Sequence, residues 1–521
     1  MGRERVVVIG GGVGGLVGAA LLAARGCDVT LVEAQAGPGG KLRAVDVDGE
    51  AVDGGPTVFT MRDVFEEVFA ECGGALEDHL SLTPARTLAR HAWGEARLDL
   101  HADPKASEAA VGDFAGAAEA RGLRRFRAES RRLFESLDRP FLRAGKTDPI
   151  TLGWRMGLRG FPDYLRPRAF QSLWGALGGY FADPRLRQLF GRYATYSGSS
   201  PFAAPATLML IAHVEASGVW LVEGGMHRLA LALEAVGRRA GVRFRYGAAV
   251  REILVERGRA AGVTLATGER LSATSVVCNA DPAALAAGAF GAAARRAGKP
   301  MPPHRRSLGA LVWTARARTA GFPLSRHNVF FSDDYRAEFD ALAAGRLADR
   351  PSVYLCAQDR DGEGDAPAGP ERVQIIVNAP ADGDGAPLSL AEIDTCRRHM
   401  LHGVSRAGLS LDLEPQGSSG TVLTTPHDFA RMFPSTGGAL YGPASHGWAA
   451  SFRRQGSRTA IPGLYCAGGS THPGAGVPMA ALSARLAVAC LLKDRASTSR
   501  SARTATPGGT STRAATTAPT A

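Results

Sequence analysis

The amino-acid sequence predicts an α/β protein in which a parallel sheet, a helical region and a mixed sheet share one chain. The chain has 521 residues, more than one ordinary domain needs, and its 45% hydrophobic and 21% charged residues are typical of a globular protein. A strand, a glycine-rich loop, a helix and a second strand follow one another at the start, and a second glycine-rich loop precedes an apolar helix near the end.

The first of these units is a βαβ arrangement. A buried strand is predicted at Arg5–Ile9, a helix at Leu16–Arg25 that stops at Gly26, and a second strand at Asp28–Glu33. Parallel strands joined by a helix are the building unit of a doubly wound sheet. The parallel sheet is therefore expected to begin at the N-terminus.

The loop between this strand and helix has the glycine spacing of a dinucleotide site. Gly10 would make the tight turn, Gly12 would let a pyrophosphate approach the backbone, and Gly15 would let the helix pack closely on the sheet; Gly14 lies beside them. The helix N-terminus then offers free N–H groups to the phosphates. Glu33 ends the second strand, where a carboxylate accepts hydrogen bonds from ribose hydroxyls. The alternative, a glycine-rich turn without a ligand, would not need this acid.

This fingerprint occurs once in the sequence, which favours tightly held FAD over an exchanging nicotinamide. An enzyme that passes hydride from a nicotinamide to a flavin on separate Rossmann units usually shows two copies. Two further glycine loops, Gly37–Lys41 and Asp53–Thr57, suit a long ligand. Lys41 would face a phosphate or a ribose, and a solvated surface lysine is the alternative.

Near the C-terminus, Gly463–Met479 contains a strand, a loop rich in glycine and the start of an apolar helix at Val477–Leu492. Pro478 suits the first turn of that helix because its missing N–H costs nothing there. The helix N-terminus would point at the bound group and stabilise negative charge on a reduced isoalloxazine ring. A well-capped terminal helix is the alternative. His472, within the loop, is expected to be structural.

The remaining chain predicts a discontinuous arrangement. We expect residues 1–103, 219–300 and 441–493 to form an FAD-binding domain, 104–218 a helical cap, 301–440 a substrate-binding mixed α/β domain and 494–521 a disordered tail, since its Ala/Thr/Ser/Arg composition cannot bury a core. Within the cap, Trp154–Trp174 interleaves arginines with aromatics and is our candidate membrane-docking surface. An ordinary cap with solvated arginines is the alternative.

The net charge of +11 does not by itself predict a nucleic-acid partner, because only five of the 61 basic residues are lysines and arginine-rich composition is general along the chain. A basic surface that touches anionic lipid is favoured. No run approaches ~18 apolar residues, and a strand begins too early for a signal peptide. Scattered cysteines without a C-x-x-C motif predict reduced thiols and no metal site. We therefore expect a cytoplasmic protein, and the family resemblance described next implies peripheral association with the inner or an intracytoplasmic membrane.

The motifs together resemble the phytoene dehydrogenase-type carotenoid desaturases of the wider glutathione reductase-like FAD group. The matching segments span almost the whole chain: Val6–Gly15, Gly39–Lys41, Asp53–Thr57, Asn279–Pro282 and Gly463–Met479. The resemblance implies a glutathione reductase-like FAD-binding Rossmann domain with a mixed-sheet substrate domain and a helical cap. Two residues depart from the family pattern: Lys41 stands where many members have arginine, and Cys466 where an aliphatic residue is usual.

From the loops and the resemblance we expect one set of FAD-binding residues and assign no catalytic residue. The expected FAD-binding residues are Gly10, Gly12, Gly14, Gly15, Glu33, Gly40, Lys41, Gly55, Pro56, Thr57, Val250, Gly468, Gly469, Gly476, Val477 and Met479.

Three segments, Leu189–Gly198, Gly218–Met226 and His327–Phe331, are most similar to the hydroxy- or methoxyneurosporene desaturases of phototrophic bacteria. This similarity implies the introduction of a C-3,4 double bond into 1-hydroxy or 1-methoxy acyclic carotenoids on the spheroidene or spirilloxanthin route. Such a substrate requires an apolar tunnel, which Arg192 and Tyr196 are candidates to line. A quinone or oxygen would reoxidise the flavin.

Several alternatives stay open on the same scaffold. A phytoene desaturase, a carotenoid ketolase or a carotenoid isomerase would share the motifs. A flavin amine oxidase would need a polar cage for an amine, for which the sequence shows no signal. A lipid-binding protein without chemistry would not need the complete phosphate loop with Glu33.

Overall fold

The computed structural model describes residues 3–164, 170–360, 367–415 and 417–504. Its strands are β1 Arg5–Ile9, β2 Asp28–Val32, β3 Ala44–Val47, β4 Glu50–Asp53, β5 Leu82–Pro84, β6 Thr87–Trp93, β7 Ala96–His101, β8 Trp220–Val222, β9 Arg243–Arg245, β10 Val250–Glu256, β11 Arg259–Leu265, β12 Arg270–Ser272, β13 Ser275–Cys278, β14 Gly309–Ala317, β15 Thr319–Ala320, β16 His327–Phe330, β17 Val353–Ala357, β18 Glu371–Ala379, β19 Ser410–Leu411, β20 Thr421–Thr424 and β21 Leu464–Cys466. Its α-helices are α1 Val13–Ala24, α2 Arg62–Glu71, α3 Pro104–Ala115, α4 Ala117–Leu137, α5 Pro149–Tyr164, α6 Leu173–Leu177, α7 Pro184–Gly191, α8 Leu210–Ala216, α9 His227–Arg239, α10 Pro282–Ala287, α11 Tyr335–Ala343, α12 Leu390–Ser405, α13 Pro426–Met432, α14 Ala450–Arg453 and α15 Val477–Thr504.

The first sheet has the strand order β21-β13-β1-β2-β9, and each neighbouring pair is parallel. Side chains of β1 alternate between two cores: Val6 and Val8 pack with α1, α9 and α15, whereas Val7 and Ile9 pack toward β10–β12. A parallel sheet that is covered on both faces explains why β1 is a continuous apolar run. The predicted βαβ opening and the α/β fold class are confirmed.

The second sheet has the order β20-β14-β18-β17-β16-β6-β7 and is antiparallel except where β16 meets β6. One face is covered by α12, whose Ile393, Met400 and Val404 pack on Val353 and Leu355 of β17 and their neighbours. The opposite face carries Tyr354 toward the helical region. A mixed sheet that presents one face to a helical cap matches the expected substrate domain.

The predicted end of the first FAD-binding range, at residue 103, does not agree with the sheets that are observed. Residues 87–101, assigned from the sequence to the FAD-binding part, form β6 and β7 at the edge of the second sheet, with Asn328 of β16 paired to Arg90. Packing stabilises the hairpin in this position, because Leu98 and Leu100 are buried in one hydrophobic cluster with the cap residues Leu123 and Phe126. Nothing in the local sequence could show this, since the pairing joins segments far apart in the chain.

The helices α3–α8 form the cap, and they pack on the β6–β7 edge of the second sheet. The described side chains of the Trp154–Trp174 segment, those of residues 154–157 and 170–174, do not form a single exposed surface. Trp154 is 84% exposed, but Trp174 packs against Phe202 and Tyr335 at ring-centroid distances of 4.8 and 6.0 Å. Part of the expected docking surface, residues 165–169, lies outside the described residues.

The last helix, α15, continues to Thr504. Residues 494–504 are therefore helical, and the prediction that they are disordered is wrong. Asp494 secures the helix to the body of the protein, because its carboxylate accepts hydrogen bonds from Arg458 and from the Tyr465 hydroxyl. Alanine and arginine also favour continuation of a helix. Throughout the described ranges, no helix is both long enough and apolar enough to cross a membrane.

Candidate active site

The N-terminal glycine loop lies at the carboxyl end of β1 and leads directly into α1. Gly10 has a positive φ of 95°, and Gly12 precedes the helix without any side chain that caps its first turn. A Cβ atom at Gly15 would lie 1.9 Å from the Gly10 carbonyl oxygen, so only glycine allows the helix this close to the strand. The first-turn amides are thus available to an anionic ligand, as the sequence predicts.

Glu33 follows β2 and lies against the same loop. Its Oε2 accepts a hydrogen bond from the Gly11 amide at 2.5 Å, and its Oε1 accepts one from the Gln35 amide at 2.8 Å. A carboxylate has about four lone-pair sites, so these two bonds orient Glu33 and leave capacity for ribose hydroxyls.

The two ends of the chain meet at this loop. A Cβ atom at Gly14 would lie 2.9 Å from the Cα atom of Gly468, so the first loop and the C-terminal loop touch through their backbones. Their helices are also neighbours, because a Cβ atom at Gly18 of α1 would lie 3.8 Å from the Cβ atom of Ala484 in α15. The two glycine-rich loops therefore form one site, although more than 400 residues separate them.

A cavity of about 690 Å³ runs along both loops and lies in the size range of enclosed ligand sites. Most of the expected cofactor residues line this cavity: Gly10, Gly12, Gly14, Glu33, Gly40, Lys41, Pro56, Val250, Gly468, Gly469, Gly476 and Val477.

Four of the expected cofactor residues do not line the large cavity. Gly15 and Gly55 serve close backbone contacts, since a Cβ atom at Gly55 would lie 2.0 Å from the Lys41 carbonyl oxygen. Thr57 turns away and its hydroxyl is 2.5 Å from the Tyr354 hydroxyl. Met479 lines a second cavity instead. The sequence indicated these loops but not which residue in each loop faces the cavity.

One side of the large cavity is basic. Lys41 donates to the carbonyl oxygens of Ala439 and Leu440 at 3.3 and 2.7 Å, and burial lowers the pKa of Lys41 to about 8. Arg43 and Arg431 line the same wall. The alternative interpretation of Lys41 as a solvated surface lysine is therefore wrong. The basic wall suits a ligand with negative charge.

Four lining residues were not among the expected cofactor residues: Arg43, Asn279, Asp281 and Arg431. Asn279 and Asp281 belong to the segment Asn279–Pro282, which was matched to the family but given no binding role. Asn279 lies beneath the first loop, where its Oδ1 would be 2.5 Å from a Cβ atom at Gly14. A usable signal existed for it, because Asn279 directly follows the buried strand β13, and ligands bind at the carboxyl ends of parallel strands. Arg43 and Arg431 carried no such signal.

A second cavity, of about 230 Å³, lies between the cap and the C-terminal loop and is largely apolar. Its wall includes Leu137, Phe141, Leu142, Leu152, Leu208, Leu210, Ile211, Val214, Phe452 and Met479. Ala475 and Gly476 line both cavities, so the two spaces are adjacent at the N-terminus of α15. An apolar molecule bound in the second cavity would therefore lie next to one end of the first.

His472 has the structural role expected of it. The residue is buried, its Nε2 lies 3.0 and 2.9 Å from the carbonyl oxygens of Phe141 and Ala144, and burial lowers its pKa. It ties the C-terminal loop to the wall of the apolar cavity.

The residues of the large cavity fit FAD. Uncapped first-turn amides and the basic wall suit a pyrophosphate, Glu33 suits a ribose, and the far end lies at the N-terminus of α15. A parallel sheet with this site, joined to an apolar cavity under a cap, defines an FAD-dependent oxidoreductase whose substrate is apolar.

Comparison with known proteins specifies the class. The family described as flavin containing amine oxidoreductase matches residues 13–492. The chain is 52% identical to a hydroxyneurosporene desaturase from Rubrivivax gelatinosus over 99% of this chain and 98% of that protein, and 48% identical to one from Cereibacter sphaeroides over 95% and 99%. The crystal structure of an oxidoreductase from Methanosarcina mazei superimposes with a TM-score of 0.58 at 17% identity, covering 94% of this chain and 100% of that one.

The chain thus belongs to the flavin containing amine oxidoreductase family and, within it, to the carotenoid desaturases. It is an FAD-dependent oxidoreductase that acts on CH–CH bonds.

Proposed function

We propose that the protein introduces a C-3,4 double bond into acyclic carotenoids that carry a 1-hydroxyl or a 1-methoxyl group. The observation that carries this proposal is the junction of the apolar cavity with the dinucleotide cavity at Ala475 and Gly476. Two relatives of this chain are named hydroxyneurosporene desaturases, which supports a hydroxylated substrate. The polar cage that an amine substrate would need is not part of the apolar wall.

We also propose that FAD is held by the expected residues that line the large cavity, with Gly15 and Gly55 providing close backbone contacts. The first-turn amides of α1 bind the pyrophosphate, Glu33 binds a ribose, and Lys41 and Arg43 add positive charge. The FAD-binding part then consists of the parallel sheet, β10–β12 and the flanking helices, whereas the second sheet and the cap enclose the substrate.

The chain's own residues determine what can react. FAD, when bound, supplies an acceptor for a hydride from the substrate. The substrate loses that hydride from one carbon, and its neighbour loses a proton to a base or to water, so two hydrogens leave and one double bond forms. The apolar wall at Leu208, Ile211 and Phe452 binds the polyene and excludes water, which holds the reacting bond at the junction of the cavities. A quinone or oxygen then receives the electrons.

The direct test is turnover by the purified holoprotein of 1-hydroxyneurosporene and, separately, of phytoene, both presented in liposomes. We expect the hydroxylated substrate to lose two mass units and its absorption to shift to longer wavelength. Turnover of phytoene alone would contradict the substrate assignment. A product that gains a carbonyl group, or one of unchanged mass, would indicate a ketolase or an isomerase. Binding without any turnover, under both oxygen and a soluble quinone, would indicate a lipid-binding protein.

We further propose that the mouth of the apolar cavity docks on an anionic membrane. Ile150, Trp154, Phe170 and Trp448 are 75%, 84%, 57% and 46% exposed. Phe170 and Trp448 line the cavity and contact each other edge-on at 5.6 Å, and Leu152, between Ile150 and Trp154, also lines it. A carotenoid dissolved in a bilayer could pass from such a patch directly into the cavity.

Basic side chains accompany this patch. Lys299 donates to the carbonyl oxygen of Arg453, next to the cavity residue Phe452. Lys146 lies beside Lys299, and burial together with that neighbouring charge lowers the pKa of Lys146 to about 8. Apolar side chains flanked by lysines and arginine are the combination that anionic lipid attracts.

Vesicle flotation tests this docking surface. Replacing Trp154 and Trp448 together by serine should weaken binding to phosphatidylcholine vesicles that contain phosphatidylglycerol by roughly 10-fold or more, because two large apolar contacts are lost. Replacing Lys146 and Lys299 by glutamine should weaken binding only to the anionic vesicles. Leu390→Ser is the matched control, since Leu390 is 75% exposed on α12 behind the second sheet. Unchanged binding of the double tryptophan variant would exclude the surface.

A further inference from the structure

A group of polar side chains lies beneath the cap, where neither FAD nor a hydrocarbon chain requires them. We name it the Arg192 cluster and define it by hydrogen bonds and ring contacts among its members, which are Thr57, Arg192, Tyr196, Glu215, His327 and Tyr354.

The Arg192 cluster lies between the two cavities. Tyr196 lines the apolar cavity. On the other side, Thr57 follows Pro56, which lines the large cavity, and bonds to Tyr354. The charge of Arg192 also acts on Tyr441, another residue of the large cavity. Tyr196 therefore connects the cluster to the wall of the apolar cavity, whereas Arg192 itself is in the lining of neither cavity.

The guanidinium of Arg192 makes few hydrogen bonds to other protein groups. Its guanidinium carbon lies 5.3 Å from the ring centroid of Tyr196 and 5.1 Å from that of Tyr354. Within the described part of the chain, its guanidinium makes one hydrogen bond, from Nη1 to the Tyr196 hydroxyl at 3.1 Å, and pairs with no carboxylate. A guanidinium has five N–H donors, so most remain available to a ligand.

Several neighbours of this guanidinium are buried, among them Glu215 and His327, which are 8% and 3% exposed. Burial, helped by the charges of Arg326 and Arg192, lowers the pKa of His327 to about 3, so His327 is neutral. Its Nδ1 lies 2.8 Å from the Tyr354 hydroxyl. Arg192 itself is partly exposed, and its unpaired N–H groups are not fully enclosed by protein, so a ligand oxygen could reach them.

Tyr196 can complete a site for an alcohol. Its hydroxyl accepts from Arg192 and donates to Glu215 Oε1 at 3.4 Å, which leaves one lone pair. Glu215 is fixed by a second phenol, because it also accepts a hydrogen bond from the Tyr193 hydroxyl. An alcohol placed here could accept from Arg192 and donate to Tyr196.

We propose that Arg192 and Tyr196 bind the oxygen at C-1 of the carotenoid and so determine which bond is desaturated; this inference rests on the proposed function. C-1 is separated from C-3 by a single carbon, so this proposal requires the Arg192 cluster to lie beside the reacting bond when the carotenoid is bound. The guanidinium must face the oxygen rather than the polyene, because a fixed positive charge opposes the positive charge that develops when hydride leaves.

If Arg192 and Tyr196 bind the oxygen at C-1, carotenoids with a 1-hydroxyl and with a 1-methoxyl group should bind with different affinities. A 1-methoxyl oxygen still accepts from Arg192 but has no proton to donate to Tyr196. A 1-hydroxyl group makes both hydrogen bonds, and a hydrocarbon end makes neither. Affinity should therefore fall in the order hydroxyl, methoxyl, hydrocarbon.

Equilibrium binding to the holoprotein, measured by the shift in carotenoid absorption, tests this order with 1-hydroxyneurosporene, 1-methoxyneurosporene and neurosporene. Arg192→Met should reduce the preference for either oxygenated carotenoid over neurosporene by roughly 10- to 100-fold while leaving the Kd of neurosporene unchanged. Arg192→Lys should restore part of that preference, because it keeps the charge and loses the fork. Tyr196→Phe should remove only the preference for hydroxyl over methoxyl.

Tyr193→Phe is the matched control, because Tyr193 donates to the same Glu215 but is buried in the cap core away from the cavity wall. An unchanged preference in both Arg192→Met and Tyr196→Phe would overturn the proposal, as would equal weakening of all three carotenoids, which indicates a purely structural role. The proposed function fails separately, if the wild-type protein binds the hydroxylated carotenoid selectively and does not desaturate it.

Discussion

Replacing Gly15 by alanine is expected to yield protein that retains no FAD and unfolds at lower temperature. The added Cβ atom would lie 1.9 Å from the Gly10 carbonyl oxygen, and both atoms belong to the backbone of the β1–α1 unit, so no side-chain movement relieves the overlap. The helix must move away from the strand, which disturbs the first-turn amides and the contact with Gly468. We expect a loss of about 3 kcal/mol in the free energy of unfolding.

The ratio of flavin to protein absorbance after purification, together with thermal unfolding, measures this effect. Gly37→Ala is the matched control: Gly37 lines the same cavity, has no positive φ, and would accept a Cβ atom without any contact inside 4 Å. That variant should keep its flavin. A Gly15→Ala protein with a full complement of FAD would contradict the structural role of this glycine.

Replacing Leu208 by tryptophan is expected to abolish desaturation while leaving the flavin in place. Leu208 lines the apolar cavity from the cap side and does not line the large cavity. The cavity of about 230 Å³ has no room for an indole beside a polyene, so the substrate could not reach Ala475 and Gly476. We expect kcat/KM for the carotenoid to fall at least ~100-fold, since displacement of a bound substrate by about an ångström already costs that much.

Steady-state kinetics, with the flavin content measured in the same samples, checks this result. Leu231→Trp is the control, because Leu231 is 37% exposed on α9, outside the lining of either cavity. If the Leu208→Trp enzyme kept full activity, the apolar cavity would not be the substrate path. If it lost flavin as well, the substitution would act on both cavities, which share Ala475 and Gly476, and the loss of activity could not be assigned to the substrate path.

Local patterns sufficed for the parts of the fold that are formed by neighbouring residues. The β1–α1–β2 unit and the placement of Glu33 beside the loop depend on short-range features: an apolar run, glycine spacing and a helix start. The same logic led to one error at the end of the chain, because composition alone could not show that Asp494 binds Arg458 and Tyr465 and carries α15 to Thr504.

What the sequence by itself determined was the cofactor loops, the α/β class and the family. Those depend on backbone conformations that only certain residues adopt, and these conformations leave a readable spacing. What only the tertiary structure decided was the inclusion of β6 and β7 in the second sheet, the meeting of the two cavities at Ala475 and Gly476, and the Arg192 cluster between them. Each of these brings together residues from distant segments, such as Thr57, Arg192 and Tyr354. Packing free energy, which is summed over the whole molecule, selects such pairings, and no local pattern encodes them.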